Sequence, residues 1–376
     1  MKTSISIVLT SLLTFAATQS TIARELSNAR DVHNGFRSSA KIELVKGNNE
    51  ATRKLVEASD ALPQQTRAKL NQSFEQFASK ALLIAQGEQI IFERYAQTLP
   101  TKPTPLGYSM SKSLTALTVG KALCDGHIQS LEDKASKYVP QLANSSWGES
   151  SIKDLLLMRS GAYPTNLRYS GHKDEQMQKS LGRAISNGSM RNSFIDLMLN
   201  SDEKAIPSGQ RFYYNNFDTV ALSLVIASST RESFAAYFSK SIWQEIGAEF
   251  DGAWMVNAVG EASTYNGFSA APRDWLRIGN YVLTELNGED QCFRDFLKEA
   301  TKSQIPAMGS SSSYGYQIWT ECEPNFDFCF SGFGGQYLFF DVKRNIVFYH
   351  HGTDDDPRRF KFLRITLSDI SKSLGK

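Results

Sequence analysis

The sequence predicts an α/β (α+β) protein: one antiparallel sheet flanked by helices, with a large helical segment inserted beside it. Three observations carry this. Residues 81–96, ALLIAQGEQIIFERYA, place two apolar β-type runs around Gly87-Glu88, the pattern of a tight hairpin. From Ser109 to about residue 260 the pattern is helices and loops. Late in the chain YGYQIWTE, GQYLFFD and NIVFYHHG read as three successive strands, which can join the early hairpin in one sheet.

Taken in order, Lys2 and the apolar run from Ile5 to Ala17 read as a secretory signal over residues 1–23, too short for a transmembrane anchor. No Cys lies near the expected cut at Ala23, so a lipoprotein is not expected. Residues 24–60 are polar without periodicity and read as a loosely packed extension. Asp60 and Pro63 mark a helix start, with Leu70, Phe74, Phe77 and Ala78 on one face. The hairpin follows, then a Pro-broken stretch over 97–106. The helix from Ser109 is apolar almost all round (Leu114, Leu117, Val119, Ala122, Leu123), so it is expected to be buried, and Asp125-Gly126 ends it. IKDLLLMRSG, SFIDLMLN, DTVALSLVIA and RESFAAYFSKSIWQEIG suit further helices. Pro272 opens another at PRDWLRIGNYVLTELNG. FKFLRITLSDISKSL closes the chain as a helix. The expected division is a sheet domain from 61–108 with 261–376, and a mainly helical domain over 109–260.

Composition narrows the function. The chain has 376 residues and 41% hydrophobic content with 23 Phe and 14 Tyr, enough to fill a sizeable core. A net charge of +2 without a basic run argues against nucleic acid as a partner. Asp354, Asp355 and Asp356 followed by Arg358 and Arg359 read as a solvated loop. Cys322 and Cys329 flank EPNFDF between strand-like runs, where a cross-hairpin disulfide and two separate thiols are both open. No metal site is expected: C-x-x-C and H-E-x-x-H are missing, and the neighbours His350 and His351 cannot share one helix face.

Ser-x-x-Lys occurs six times, starting at Ser38, Ser109, Ser150, Ser170, Ser201 and Ser373. Only Ser109 stands between a strand-plus-Pro loop and a buried helix. There the unpaired N–H groups of a helix start favour developing negative charge, and one turn brings Lys112 beside Ser109. A hydroxyl needs an adjacent base, and a Lys serves only where burial depresses its pKa from about 10.4. The plainer reading, commoner for this spacing, is Ser109 as a helix cap with Lys112 exposed. RFYYNNFDTVAL adds a Tyr-x-Asn before a helix, either Tyr213 with Asn215 or Tyr214 with Asn216; a core Tyr and a capping Asn are the plainer alternative. SGFGGQYLFF places glycines at a strand start, where backbone can approach a ligand and a strand N–H can share an oxyanion hole with that of Ser109. A Gly-rich turn is the plainer alternative there.

In this order, ALLIAQGEQIIFERYA, YSMSKSLTALTVGKAL, FYYNNFDTVAL, NGFSAAPRDWLRIGNYVL and GFGGQYLFFD resemble the serine β-lactamase and penicillin-binding superfamily over roughly residues 80–355. Within it they resemble the class C β-lactamase-related branch, with its family VIII esterases and 6-aminohexanoate-dimer hydrolases. The resemblance implies a β-lactamase/transpeptidase-like fold and a serine hydrolase acting on a small ester or amide, without cofactor; the N-terminal signal adds the expectation of an exported, periplasmic or secreted protein. It implies Ser109 as the acylated nucleophile, Lys112 as base or proton shuttle, and Tyr214 as second base, placed by Phe212, Asp218 and Thr219. Asn216 completes Tyr-x-Asn. Phe333, Gly334 and Gly335 align with the Lys-Thr-Gly strand, and Gln336 would give the second oxyanion N–H beside that of Ser109. Phe333 departs from that strand's Lys, which helps bind a substrate carboxylate; an uncharged or apolar acyl group is therefore expected, with weak or absent β-lactamase activity. The alternatives are a β-lactamase or D-Ala-D-Ala carboxypeptidase, and a non-catalytic penicillin-binding-like module. A Ser-His-Asp hydrolase through His350 or His351 is a further rival, disfavoured by the lack of a parallel βαβ pattern. Under the Lys–Tyr reading, replacing both histidines should leave activity intact.

Overall fold

The computed structural model describes residues 41–47, 52–58, 62–77, 79–96, 105–163, 193–202, 204–307, 312–352 and 357–374. The signal segment, most of the 24–60 extension, Asp60, Ala78 and Asp354 to Asp356 lie outside them. The described part of the extension is paired: β1 (Lys41–Val45) and the short β2 (Val56–Glu57) are strands. Helix α1 (Gln64–Gln76) buries Leu70 and Phe74. β3 (Ala81–Gln86) and β4 (Gln89–Tyr95) form the expected hairpin, with Gly87 at φ 56 in its turn. Helix α2 (Met110–Cys124) is buried at every position from Met110 to Ala122. Helices α3 (Ile152–Leu156), α4 (Phe194–Asn200), α5 (Asn216–Thr230) and α6 (Phe234–Phe238) follow, α6 running into a π turn over Ser239–Trp243. Next come β5 (Gly252–Val256), β6 (Phe268–Ser269), α7 (Pro272–Glu285) and α8 (Gln291–Ala300). The chain closes with β7 (Ile305–Pro306), β8 (Ser313–Tyr314), β9 (Trp319–Glu323), β10 (Phe326–Gly332), β11 (Gln336–Asp341), β12 (Ile346–His351) and α9 (Pro357–Ser373).

The main sheet runs β2-β4-β3-β12-β11-β10-β9-β8-β7, and a smaller one runs β1-β5-β6. β12 pairs antiparallel with β3 and with β11, so the early hairpin and the late strands do share one sheet. Period-two alternation sorts its side chains. Leu82, Ile84, Phe339 and Phe348 face α1 and α9, against Leu70, Phe74, Leu363 and Leu367. Leu83, Ala85, Leu338, Phe340 and Tyr349 face the larger core with Leu114 and Leu117 of α2 and Trp275 and Ile278 of α7.

The expected three-strand meander is in fact four longer strands extended by two short ones. β10 was not among the three expected strands, although Phe326, Phe328 and Phe330 alternate in it and the cross-hairpin alternative for Cys322 and Cys329 implied a strand there. β7 and β8 are two residues each, too short to show alternation. In β5 a continuous apolar run carries no period. Helix α8 was legible and missed: Phe293, Phe296, Leu297 and Ala300 lie one turn apart behind an Asp290 cap.

Two disulfides close the structure. Cys322–Cys329 settles the open alternative in favour of the cross-hairpin bridge; Cys124–Cys292, tying α2 to α8, was not foreseen. Their sequence separations are 7 and 168, so by loop entropy they restrict the unfolded chain by about 2.5 and about 5 kcal/mol. Urea unfolding should therefore show Cys124→Ser/Cys292→Ser losing about 2.5 kcal/mol more than Cys322→Ser/Cys329→Ser. Equal losses would sink the loop-entropy account.

Candidate active site

Ser109 stands where the loop from residue 105 turns into α2. Leu106 bridges to Ser269 of β6, and Gly107 N–H donates to the Phe268 carbonyl at 2.8 Å. Tyr108 is held at φ 47, the left-handed region, at a strain of about 1–3 kcal/mol for a residue with a β-carbon. Met110 N–H to Gly107 O (3.1 Å) and Ser111 N–H to Tyr108 O (2.9 Å) lock this bend. Ser109 makes no side-chain cap bond and is already helical, at φ −65 and ψ −7. The cap reading therefore fails for the serine. It fails for the lysine too, because Lys112 is 1% exposed.

Lys112 Nζ lies 3.2 Å from Ser109 Oγ and donates to the Tyr265 carbonyl at 2.7 Å. Among the described residues no carboxylate pairs with it, and burial pushes its pKa well below the usual lysine value. In its neutral form this amine, tied to Tyr265 O, would offer the Ser109 hydroxyl a lone pair at 3.2 Å. The other described matches differ: Lys153 pairs with Glu132 at the surface, and Lys204 is exposed. Burial, not spacing, distinguishes Ser109-x-x-Lys112.

The Tyr214 ring lies under Lys112, with Nζ 5.0 Å from its centroid, and is buried. Tyr213 is half-buried with Arg211 over its ring, so Tyr214 is the tyrosine that meets Lys112. Tyr214 stacks on Trp319 of β9 at 5.8 Å and touches Phe212 and Tyr314. The start of α5 is anchored beneath it. Asp218 accepts from Trp147 Nε1 (3.0 Å) and Ser160 Oγ (2.6 Å), and Thr219 Oγ1 donates to Gln317 Oε1 at 2.8 Å. Burial raises the Asp218 pKa to about 7. Asn215 is the α5 cap: its side chain accepts from Phe217 N–H and donates to Tyr163 O. Asn216 opens the helix half-buried, and its side chain has no hydrogen-bond partner among the described residues.

The glycine turn meets this group at the end of β10, not at the start of β11. A Cβ on Gly332 would stand 2.3 Å from Gly107 O, so only glycine lets this strand reach the serine's loop. Phe333 is 54% exposed and its ring meets Tyr108 edge-on at 5.8 Å. Gly334 and Gly335 turn the chain at φ 76 and 84. Gln336 lies across from Gly332 in β11, and its buried side chain donates to Gly334 O and Gly352 O. The contact with Gly107 falls on the β10 side of the turn, next to Phe333, while the expected donor Gln336 stands across from Gly332 in β11. The Ser109 and Phe333 N–H groups have no acceptor among the described residues and stand on the two backbone segments in contact.

His350 hydrogen-bonds Ser79 and Gly335 and makes no bond to Ser109. Among the described residues no three His, Cys, Asp or Glu are placed to hold a metal ion. Sequence reasoning missed Tyr108, Gly332 and the Tyr265 carbonyl. A backbone carbonyl leaves no side-chain signature; Tyr108 could have been noticed as a bulky residue between Gly107 and a helix start.

A family profile described as Beta-lactamase matches residues 67–367. A 6-aminohexanoate-dimer hydrolase of Paenarthrobacter ureafaciens is 24% identical over 323 residues, 81% of each chain. Among solved structures, a Bacillus anthracis protein assigned as a 6-aminohexanoate-dimer hydrolase superposes with a TM-score of 0.75 at 22% identity, over 94% of this chain and 95% of that one. EstCE1, a hydrolase with promiscuous acyltransferase activity, superposes with a TM-score of 0.65 at 14% identity, over 84% and 99%.

Proposed function

The chain belongs to the beta-lactamase family, a hydrolase fold of the serine type, and from that premise we propose that it cleaves an ester or amide through an acyl group carried on Ser109. One observation carries the reading: a buried lysine, unpaired by any described carboxylate, stands 3.2 Å from a serine hydroxyl at a helix start. In the first step the Ser109 proton passes to the Lys112–Tyr214 pair as Oγ attacks the carbonyl carbon. The Ser109 and Phe333 N–H groups receive the negative charge on the carbonyl oxygen. As the C–O or C–N bond breaks, the pair returns the proton to the leaving alcohol or amine. Water, deprotonated by the same pair, then releases the acid and restores Ser109.

The substrate class follows from the rim. Phe333 and Tyr108 present an aromatic wall, and neither carries a cation to meet a substrate carboxylate. An uncharged or apolar acyl group fits, and benzylpenicillin should be turned over weakly or not at all. Phe333→Lys should raise kcat/KM for benzylpenicillin about tenfold, the worth of one charge-assisted hydrogen bond of about 1.5 kcal/mol. Fast penicillin turnover by the wild type would refute the assignment of this wall. The apolar run after Lys2 and the two disulfides favour export to an oxidising compartment.

The direct test is acid quenching during p-nitrophenyl butyrate turnover, followed by peptide mass spectrometry. A butyryl adduct is expected on the peptide containing Ser109. An adduct on another serine would move the nucleophile. No turnover of esters or amides, and no adduct, would favour the binding-module alternative.

A further inference from the structure

The oxyanion turn has a buried clamp that the proposed chemistry does not use. Gly334 and Gly335 both lie at positive φ, where glycine moves freely, so Phe333-Gly334-Gly335 has little rigidity of its own. Its two glycine carbonyls are nevertheless held. His350 Nδ1 lies 2.7 Å from Gly335 O, and Gly352 N–H donates to the same oxygen at 3.2 Å. Gln336 Nε2 donates to Gly334 O at 3.3 Å and Gly352 O at 2.8 Å. A carbonyl cannot donate, so Nδ1 carries the proton. His350 Nε2 then accepts from the Ser79 hydroxyl at 2.7 Å. Ser79 is itself held at the end of α1 by its N–H to Phe74 O at 3.0 Å. His350 is 0% exposed, and burial holds its pKa down at about 4, so the ring stays neutral in this tautomer at neutral pH.

We propose that His350 is a positioning residue for the oxyanion hole: by holding the Gly335 carbonyl it fixes the turn that aims the Phe333 N–H at the scissile carbonyl oxygen. This rests on the Ser109 acyl reading. It revises the expectation that both histidines are dispensable, and gives His350 no part in proton transfer. A donor displaced by about 1 Å loses up to about 10²-fold in rate.

The test compares His350→Ala, His350→Gln and His350→Asn with the wild type and Ser109→Ala on p-nitrophenyl butyrate. Asn places its amide N–H where Nδ1 stood; Gln places it near Nε2, toward Ser79. His350→Ala and His350→Gln should lose at least about tenfold in kcat with KM within about twofold, while His350→Asn recovers most of the loss. Asn cannot act as a base, so its rescue also excludes a Ser-His relay. If His350→Ala does not fold, the Asn-to-Gln ratio decides. Equal kcat in the Asn and Gln variants, with Ser109→Ala inactive, overturns the positioning role alone. A fully active Ser109→Ala overturns the acyl reading and this proposal with it.

Discussion

Ser109→Ala should lose at least about 10³-fold in kcat/KM on p-nitrophenyl butyrate, and up to about 10⁶-fold if the serine, lysine and tyrosine act as one unit. The loss falls on kcat, because Oγ makes its decisive bond only during attack. Little else should change. Ser109 caps no helix, so its hydroxyl contributes little to the fold, and stability should move by no more than about 0.5 kcal/mol. What activity survives would come from binding and the two backbone donors. Wild-type turnover by the purified variant would mean that another serine does the work.

Lys112→Met should be as damaging to turnover, about 10³-fold or more, while making the fold more stable. The two effects share one cause. Burial holds the folded-state pKa of Lys112 well below its unfolded value of about 10.4, so the folded chain binds fewer protons here than the unfolded chain. This group's contribution to stability is fully present above the unfolded pKa and is lost as pH falls toward the folded one. Met carries no such dependence. Its Tm advantage should be greatest at acidic pH and close as pH rises toward about 10.4. For the wild type, kcat/KM should climb with pH through the depressed Lys112 pKa and then level off. A limb that appears only near the free lysine value would refute Lys112 as the base, as would a variant that keeps its activity.

The elements that sequence made legible were those with a sustained period: the 81–96 hairpin, the all-round apolar α2, and the strands GQYLFFD and NIVFYHHG. Motif order placed Ser109, Lys112 and Tyr214 in one chain region each, and the fold brings all three together. Two things stayed hidden, for a physical reason. Whether a lysine is buried depends on what packs over it, here Tyr214 and Tyr265 from elements 100 residues and more downstream. The close approach of Gly332 to Gly107 was hidden as well: the resemblance implied Gln336 as second donor, and no motif shows which backbone segment packs against the serine's loop. The disulfide between Cys124 and Cys292 was equally out of reach, since four cysteines allow three pairings.

The pairing of β3 with β12 has a bearing on biosynthesis. Leu83 meets Tyr349 across that ladder, so the two halves of the sheet are the work of opposite ends of the chain. At about 5–20 residues per second, the N-terminal hairpin would wait roughly ten to fifty seconds for its neighbour to be made. Through that interval the open edge of β3 and the apolar faces around Leu82, Leu83 and Ile84 are sticky surfaces for a holding chaperone to shield. A chain released before residue 346 would lack the strand that joins the halves, not a dispensable edge, and should be found in aggregates or cleared by proteases.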